Sequence, residues 1–478
     1  LKREIYSLDS NLQVLKNTSK VKLMQKDAIS APEVTQEDVA TTKSLPWTRQ
    51  DTTWMLSLFG TAVGAGILFL PINAGMGGFW PLVLMAAIIG PMTYLAHRGL
   101  SRFVCSSSRP GSDITDVVEE HFGVGAGKAI TMLYFFAIYP IVLIYGVGIT
   151  NTVESFIVNQ LNIFVEIPRL AADGAPMLTE AGVQIMDKVS GVPRWLLSGG
   201  LIIAMMSVMV AGEKFMLKVT QLLVYPLVAI LAFMSFYLIP DWKMDALNVV
   251  PSTGAFLGTV WLTIPVLIFA FNHSPAISQF SVALKREHGQ NAARKADSIL
   301  RNTTMMLVGF VMLFVFSCVL SLSPAQLAEA KANNLPILSY LANVHDSGFV
   351  SYFGPIIAFV AIISSFFGHY MGATEGMKGI ISKQLRSSNK DVSETKLNKF
   401  ILVFMFLTIW AVAVINPSIL GMIEALGGPI IAAILYLMPM YAIHKVPALA
   451  PYRDRVSNIF VVDAGLLSMT AILFGLMS

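Results

Sequence analysis

The chain has 478 residues, of which 55% are hydrophobic and 13% charged, with a mean hydropathy of +0.66. Soluble domains average roughly 25% charged residues because their surface faces water. This composition therefore excludes a soluble globule, and with it disorder, a collagen-like rod and nucleic-acid binding. The net charge of +4 is small, so the placement of charge carries more information than its sum.

Before the first apolar run lie about 45 polar and charged residues. They contain no apolar core with a small-residue cleavage site, so no secretory signal is expected. The chain opens on Leu1, and Met24 is the expected start. Cys105 and Cys318 sit in or beside apolar runs without a C-x-x-C pair and read as buried small hydrophobes.

A bilayer core of about 30 Å takes about 20 apolar residues in helical form. Eleven segments qualify in chain order: 52–73, 80–105, 128–156, 193–211, 219–239, 255–278, 303–322, 352–374, 397–415, 419–443 and 456–477. Runs such as Leu201–Val210 and Ile356–Ile363 do not alternate, so the spans are helices rather than barrel strands. Lys and Arg fix the orientation. Twenty-eight of the 33 fall on the side of the N-terminal tail, and only Arg169, Lys188, Arg194, Lys243 and Lys331 lie opposite. The N-terminus is expected in the cytoplasm and the C-terminus outside it. Two outer connections, 157–192 and 323–351, are long and carry helix-like patches, among them a helix that Ser323 would cap with Pro324 at its first position. They read as connectors or as a lid.

No H-E-x-x-H or G-x-S-x-G signature occurs. Gly123-Val-Gly-Ala-Gly-Lys128 imitates a phosphate loop, but Phe122 replaces its leading glycine and Ala129 its magnesium-binding hydroxyl. Two interrupted spans are more informative. Span 1 holds Gly60, Gly64 and Gly66 in mid-membrane and runs to Pro71, while span 6 holds Pro265 and then Phe271-Asn272-His273-Ser274-Pro275. Glycine weakens a helix by about 1 kcal/mol relative to Ala, and Pro275 removes a backbone donor. A break in bare lipid strands polar backbone, so it must line a cavity. There, half-helix N-termini favour a carboxylate, and unwound carbonyls favour an ammonium or a cation. A Gly60/Gly64 packing face and a simple proline kink remain the alternatives. The breaks lie five spans apart, an odd number, so the second five-helix unit starts on the opposite side of the membrane. The expected architecture is an all-α membrane protein with inverted repeats of spans 1–5 and 6–10, plus an eleventh helix.

Other intramembrane polar residues each admit two readings. Ser364 and Ser365 could complete an oxygen cage for a small cation or bond back to the preceding turn. Lys218, at the head of span 5, could titrate or snorkel to the interface, and Glu424, before Gly427-Gly428-Pro429, could face a cavity or hold a structural hydrogen bond. Tyr145 could close over a ligand or pack. Glu154 reads as an exposed helix end, and Asp463 has no assigned role.

Five motifs carry a resemblance to a known family: Gly60-Thr-Ala-Val-Gly-Ala-Gly-Ile-Leu-Phe-Leu-Pro71, Asp116-Val-Val-Glu-Glu-His-Phe122, Phe271-Asn-His-Ser-Pro275, Ser365-Phe-Phe-Gly-His-Tyr370 and Gly427-Gly-Pro-Ile-Ile-Ala432. From about Trp47 onward the chain resembles the hydroxy/aromatic amino-acid permease family. Its bacterial serine branch is nearest, because His273 and Gly428 stand where the threonine branch tends to carry an aromatic ring and a small residue. The resemblance implies a LeuT-like fold and cation-coupled uptake of L-serine across a bacterial inner membrane. Several relatives carry a lysine where this chain has Ser364, and the hydroxyl pair found instead suits Na+.

The expected domains are a cytoplasmic tail (1–50), a first repeat (51–240), a second (253–443) and a last span (456–478). The amides of Gly64, Ala65 and Gly66, next to Thr61, would take the substrate carboxylate. Carbonyls around Phe271–His273, flanked by Ser274, would take the ammonium, and Asn272, His273 or Tyr145 the hydroxyl. Na+ would sit on Ser364 and Ser365 with carbonyls between Gly60 and Val63; in a proton-coupled version Lys218, His273 or Glu424 would titrate. No cofactor is expected beyond the co-transported H+ or Na+, and the partners are serine, the cation and the bilayer. A channel or facilitator, a transport-derived receptor, and a membrane-embedded enzyme built on His273, His369 and Glu424 are the other classes.

Overall fold

The computed structural model describes residues 45–169, 175–179, 182–345, 347–387, 393–423 and 428–477. All elements below belong to one unit, Thr48–Ser478. Thr48 caps α1 (Arg49–Ala62) reciprocally: its hydroxyl accepts the Asp51 N–H at 3.3 Å and the Asp51 carboxylate accepts the Thr48 N–H at 2.6 Å. The glycines end α1 after Ala62, Val63 is extended, and α2 (Ala65–Gly75) resumes, with Gly66–Gly75 leaning 51° from α1.

The helix α3 (Phe79–Cys105) follows, then α4 (Ile114–Asn159), capped by Asp113 and bent at Gly123, whose φ of 83° a glycine tolerates best. The imitation phosphate loop is thus a corner between a short helical arm and the long helix. The connection 157–192 differs from the expected helix-like patches. It holds an antiparallel hairpin, β1 (Phe164–Pro168) and β2 (Met186–Ser190), with Phe164 opposite Ser190. Val165 and Ile167 share one face of β1, as a strand's period of two requires.

Next come α5 (Arg194–Val210), α6 (Glu213–Tyr237), α7 (Thr253–Ala270), α8 (Ser274–His288) and α9 (Ala292–Ser321). The outer connection then supplies α10 (Pro324–Ala332), capped by Ser323 as its sequence suggests, and α11 (Ile337–Val344). The chain ends with α12 (Gly348–Ser387), α13 (Glu394–Ile415), α14 (Ile419–Met422), α15 (Gly428–Ile431), a π-helical turn (Ala432–Leu437), α16 (Met438–Lys445) and α17 (Val456–Met477).

Among the described residues eight helices are long and apolar enough to cross a membrane, and the bent pair α1–α2 makes a ninth. Two of the eleven expected spans fall short of that measure. α5 has 17 residues, roughly 26 Å of helix, and span 10 is interrupted by positions outside the described residues. The protein is an all-α multi-pass membrane protein. Leu222 and Ile415, 73% and 74% exposed, face outward as lipid-facing side chains do.

The helices pack as two groups. In one, α3 lies along α9, and α1, α2, α7 and α8 complete it; in the other, α12 lies along α4, joined by α5 and α13. Ion pairs stay within groups. Asp51–Lys295 (2.5 Å, both buried) and Arg102–Asp297 tie α1 and α3 to α9. Glu154–Arg194 and Lys383–Glu119 (2.9 Å) tie α5 and α12 to α4. Glu154, expected as an exposed helix end, is engaged in one of them.

Candidate functional site

The two helix breaks meet where the groups touch. At the first, α1 stops two residues before Gly64, and α2 begins one residue after it. The N–H groups of Gly64 and Gly66 have no backbone acceptor among the described residues, as the start of a helix dictates. Gly64 must be small: a Cβ there would lie 2.4 Å from Ser365 Cβ and 3.1 Å from the Tyr145 hydroxyl. Gly66 is small for another reason, since its Cβ would lie 2.7 Å from Ala270 Cα at the end of α7. The two broken helices therefore approach backbone to backbone at Gly66.

The carbonyls freed by the first break face α12. Ser365 donates its hydroxyl to Thr61 O at 2.5 Å and accepts from the Tyr145 hydroxyl at 2.7 Å. Ser364 Oγ lies 3.0 Å from Ala361 O, the bond back to the preceding turn, and 3.5 Å from Gly60 O. The bond back to the preceding turn is thus present, and the same hydroxyl approaches the Gly60 carbonyl. Val63 is buried beside them. His369 donates from Nδ1 to Ser365 O at 3.0 Å and stands edge-on to Tyr145 with ring centroids 5.2 Å apart.

At the second break α7 ends with Ala270, and Phe271, Asn272 and His273 pass to α8, which Pro275 helps to start. Asn272 Oδ1 accepts the Ser274 N–H at 3.0 Å. His273 is fully buried and donates from Nδ1 to Phe271 O at 3.1 Å. That leaves Asn272 Nδ2 as a donor and His273 Nε2 as an acceptor, both buried and unpartnered among the described residues. Buried polar atoms of this kind are costly unless something completes them.

His97 of α3 belongs to this site, although nothing in the sequence singled it out. Its Nδ1 donates to Thr93 O at 2.7 Å and its Nε2 accepts the His273 N–H at 3.1 Å. Its ring stacks on that of His273 at 3.6 Å with 6° between planes. The hint available is that a histidine about two thirds along an apolar span is costly to turn toward lipid.

Two expected members are not brought here. Lys218 is exposed on α6, and none of the described contacts joins it to the breaks. Glu424 lies outside the described residues. Near the site, a cavity of about 820 Å³ runs between α4, α8, α12 and α13; Tyr370, Gln279 and Glu375 line it, with Lys378, Lys383 and Lys399.

Two discontinuous helices packed inside a bundle that crosses a membrane, the first with open amides at its break, are the arrangement by which polytopic carriers hold a small polar solute. No protein-family model matches the chain. Serine transporter SdaC of Escherichia coli (strain K12) is 51% identical over 438 residues, covering 90% of this chain and 96% of that protein. Serine transporter SdaC of Shigella flexneri matches over the same shares at 51%. The threonine/serine transporter TdcC of Escherichia fergusonii is 42% identical over 452 residues, with shares of 90% and 96%. The chain belongs to the hydroxy/aromatic amino-acid permease family of serine transporters. These relatives are named as transporters, not enzymes, in agreement with the sequence reading.

Proposed function

We propose that the protein is a cation-coupled symporter that imports L-serine across the bacterial inner membrane by alternating access, with its N-terminus in the cytoplasm and its C-terminus outside. Eleven spans, in repeats 51–240 and 253–443 with a last helix at 456–478 behind a polar tail at 1–50, are the architecture that goes with this reading. The observation that carries it is that the two breaks leave four polar groups open, the Gly64 and Gly66 amides at one and Asn272 Nδ2 and His273 Nε2 at the other, with Gly66 packed against Ala270. A zwitterion with a hydroxyl matches them. Its carboxylate goes to the amides of Gly64, Ala65 and Gly66 near Thr61, at the positive end of α2. Its ammonium goes to carbonyls around Phe271 and His273, beside Ser274. Its hydroxyl goes to Asn272, His273 or Tyr145.

Coupling follows from the same geometry. Na+ would be held by Ser364 and Ser365 with carbonyls between Gly60 and Val63, once the serine hydroxyls turn their hydrogens away from those carbonyls. A proton would instead use His273, Lys218 or Glu424. One charge crossing 100 mV releases about 2.3 kcal/mol, enough for a roughly fifty-fold gradient. The described ion pairs of these helices lie within each group, and that supports movement of one group against the other. The test is serine uptake by proteoliposomes under an imposed Na+ or pH gradient. Accumulation above the outside concentration supports symport; equilibration alone under both gradients identifies a facilitator.

A further inference from the structure

Glu375 is the one buried carboxyl on the wall of the 820 Å³ cavity that the transport reading above does not use. It lies on α12, ten residues after Ser365 and 9% exposed. Gln279 of α8 donates from Nε2 to Glu375 Oε2 at 2.6 Å, while Oε1 is buried and unpartnered among the described residues. This bond crosses between the two helix groups. Next to it Gly376 lets α12 close on α4, where an added Cβ would lie 3.1 Å from Phe135 Cα.

The charges around Glu375 come from three sides. From α4 come Asp113 and Asp116, which line the same cavity, and Tyr134, whose buried hydroxyl has no partner among the described residues. From α13 comes Lys399, and α12 itself adds Lys378 and Lys383. Lys383 is taken by Glu119 at 2.9 Å and Thr115 O at 2.6 Å, and the described ion pair of Lys378 is with Glu394. No described ion pair reaches Glu375. An acid inside a membrane protein, facing a cavity without a cationic partner, is a place to take up and release a proton.

We propose that Glu375 is the proton-carrying site of the transporter, loading and releasing the co-transported proton through the cavity on the lysine-rich face. Protonated, the carboxyl can satisfy Oε1 by donating within the seam and keep α8 and α12 together. Deprotonated, it draws water into the cavity and loosens that seam. The proton enters and leaves the carboxyl as H+, with no other bond made or broken. This deepens the symport reading and rests on it.

The test compares wild type and Glu375→Gln in proteoliposomes, with imposed pH or Na+ gradients, and follows internal pH with a trapped dye. Wild type is expected to accumulate serine on the pH gradient and to acidify the lumen as serine enters. In Glu375→Gln, accumulation falls by about tenfold or more and the serine-evoked acidification disappears. Glu375→Asp, which keeps the acid, restores acidification in part and so separates a folding defect from loss of the proton site. Acidification by Glu375→Gln at the wild-type rate overturns the proposal. So does a wild type that concentrates serine on Na+ alone without moving protons, although symport then stands. A wild type that concentrates serine on neither gradient fails the symport reading itself.

Discussion

The imidazoles of His97 and His273 lie face to face at 3.6 Å, and His97 Nε2 accepts the backbone N–H of His273 at 3.1 Å. A side chain from α3 thus replaces the helical partner that the break in span 6 takes away. Thr93 O fixes the His97 ring by accepting its Nδ1–H at 2.7 Å. The unwound segment is held open by an intact neighbour.

Removing that support leaves a buried N–H without an acceptor, which costs about 1–3 kcal/mol. His97→Ala is expected to lower the melting temperature in detergent and to weaken serine uptake. His97→Gln, which can supply an oxygen acceptor, recovers part of both. Equal stability and uptake in His97→Ala would show that the break stands without it.

His273 leaves its Nε2 without a partner among the described residues. His273→Phe keeps the stack on His97 and removes the acceptor. Serine uptake is expected to fall, or preference to shift toward threonine, in competition assays with both amino acids. Unchanged selectivity places the substrate hydroxyl elsewhere.

Gly64 and Gly66 are close contacts of different kinds. Gly64→Ala drives a methyl into Ser365, and Gly66→Val drives one into Ala270. Overpacking of a buried contact costs about 1–3 kcal/mol, which is a roughly five- to 150-fold loss if it falls on binding. Both variants are expected to insert into membranes and to lose serine uptake. Gly66→Val should also melt earlier, because it separates the two broken helices. Normal uptake by either would remove its amide from the carboxylate site.

The Asp51–Lys295 pair has both side chains 2% exposed. Breaking a buried pair by removing one partner costs about 3–5 kcal/mol, whereas replacing both with apolar groups can be neutral. Asp51→Asn is expected to destabilise strongly in detergent melting, and the double replacement Asp51→Leu with Lys295→Met to recover most of the loss. A mild effect of the single change would mean that the pair is hydrated.

Much of this was legible in the sequence because glycine and proline mark breaks and apolar length marks spans. Gly64 and Pro275 fall where that logic puts them, and Ser364 and Ser365 face carbonyls of the first break. His97 was not legible. It stands beside Arg98 near the charged end of its span, where hydropathy cannot tell an inward ring from an interfacial one. Glu375 escaped for a similar reason, since it follows directly on the last residue counted into span 8 and precedes Lys378 and Lys383. The hairpin at Phe164–Ser190 was hidden by a connection whose polar residues suit either structure. Side-chain partnership across helices, as between Gln279 and Glu375, has no local signature at all.

The most direct test of the central claim is a map of the protein with L-serine bound. The account predicts density between the two breaks, with the carboxylate within hydrogen-bond distance of the Gly64 and Gly66 amides and the hydroxyl near Asn272, His273 or Tyr145. Density confined to the cavity beside Glu375, with the space between Gly64 and His273 empty, would contradict it.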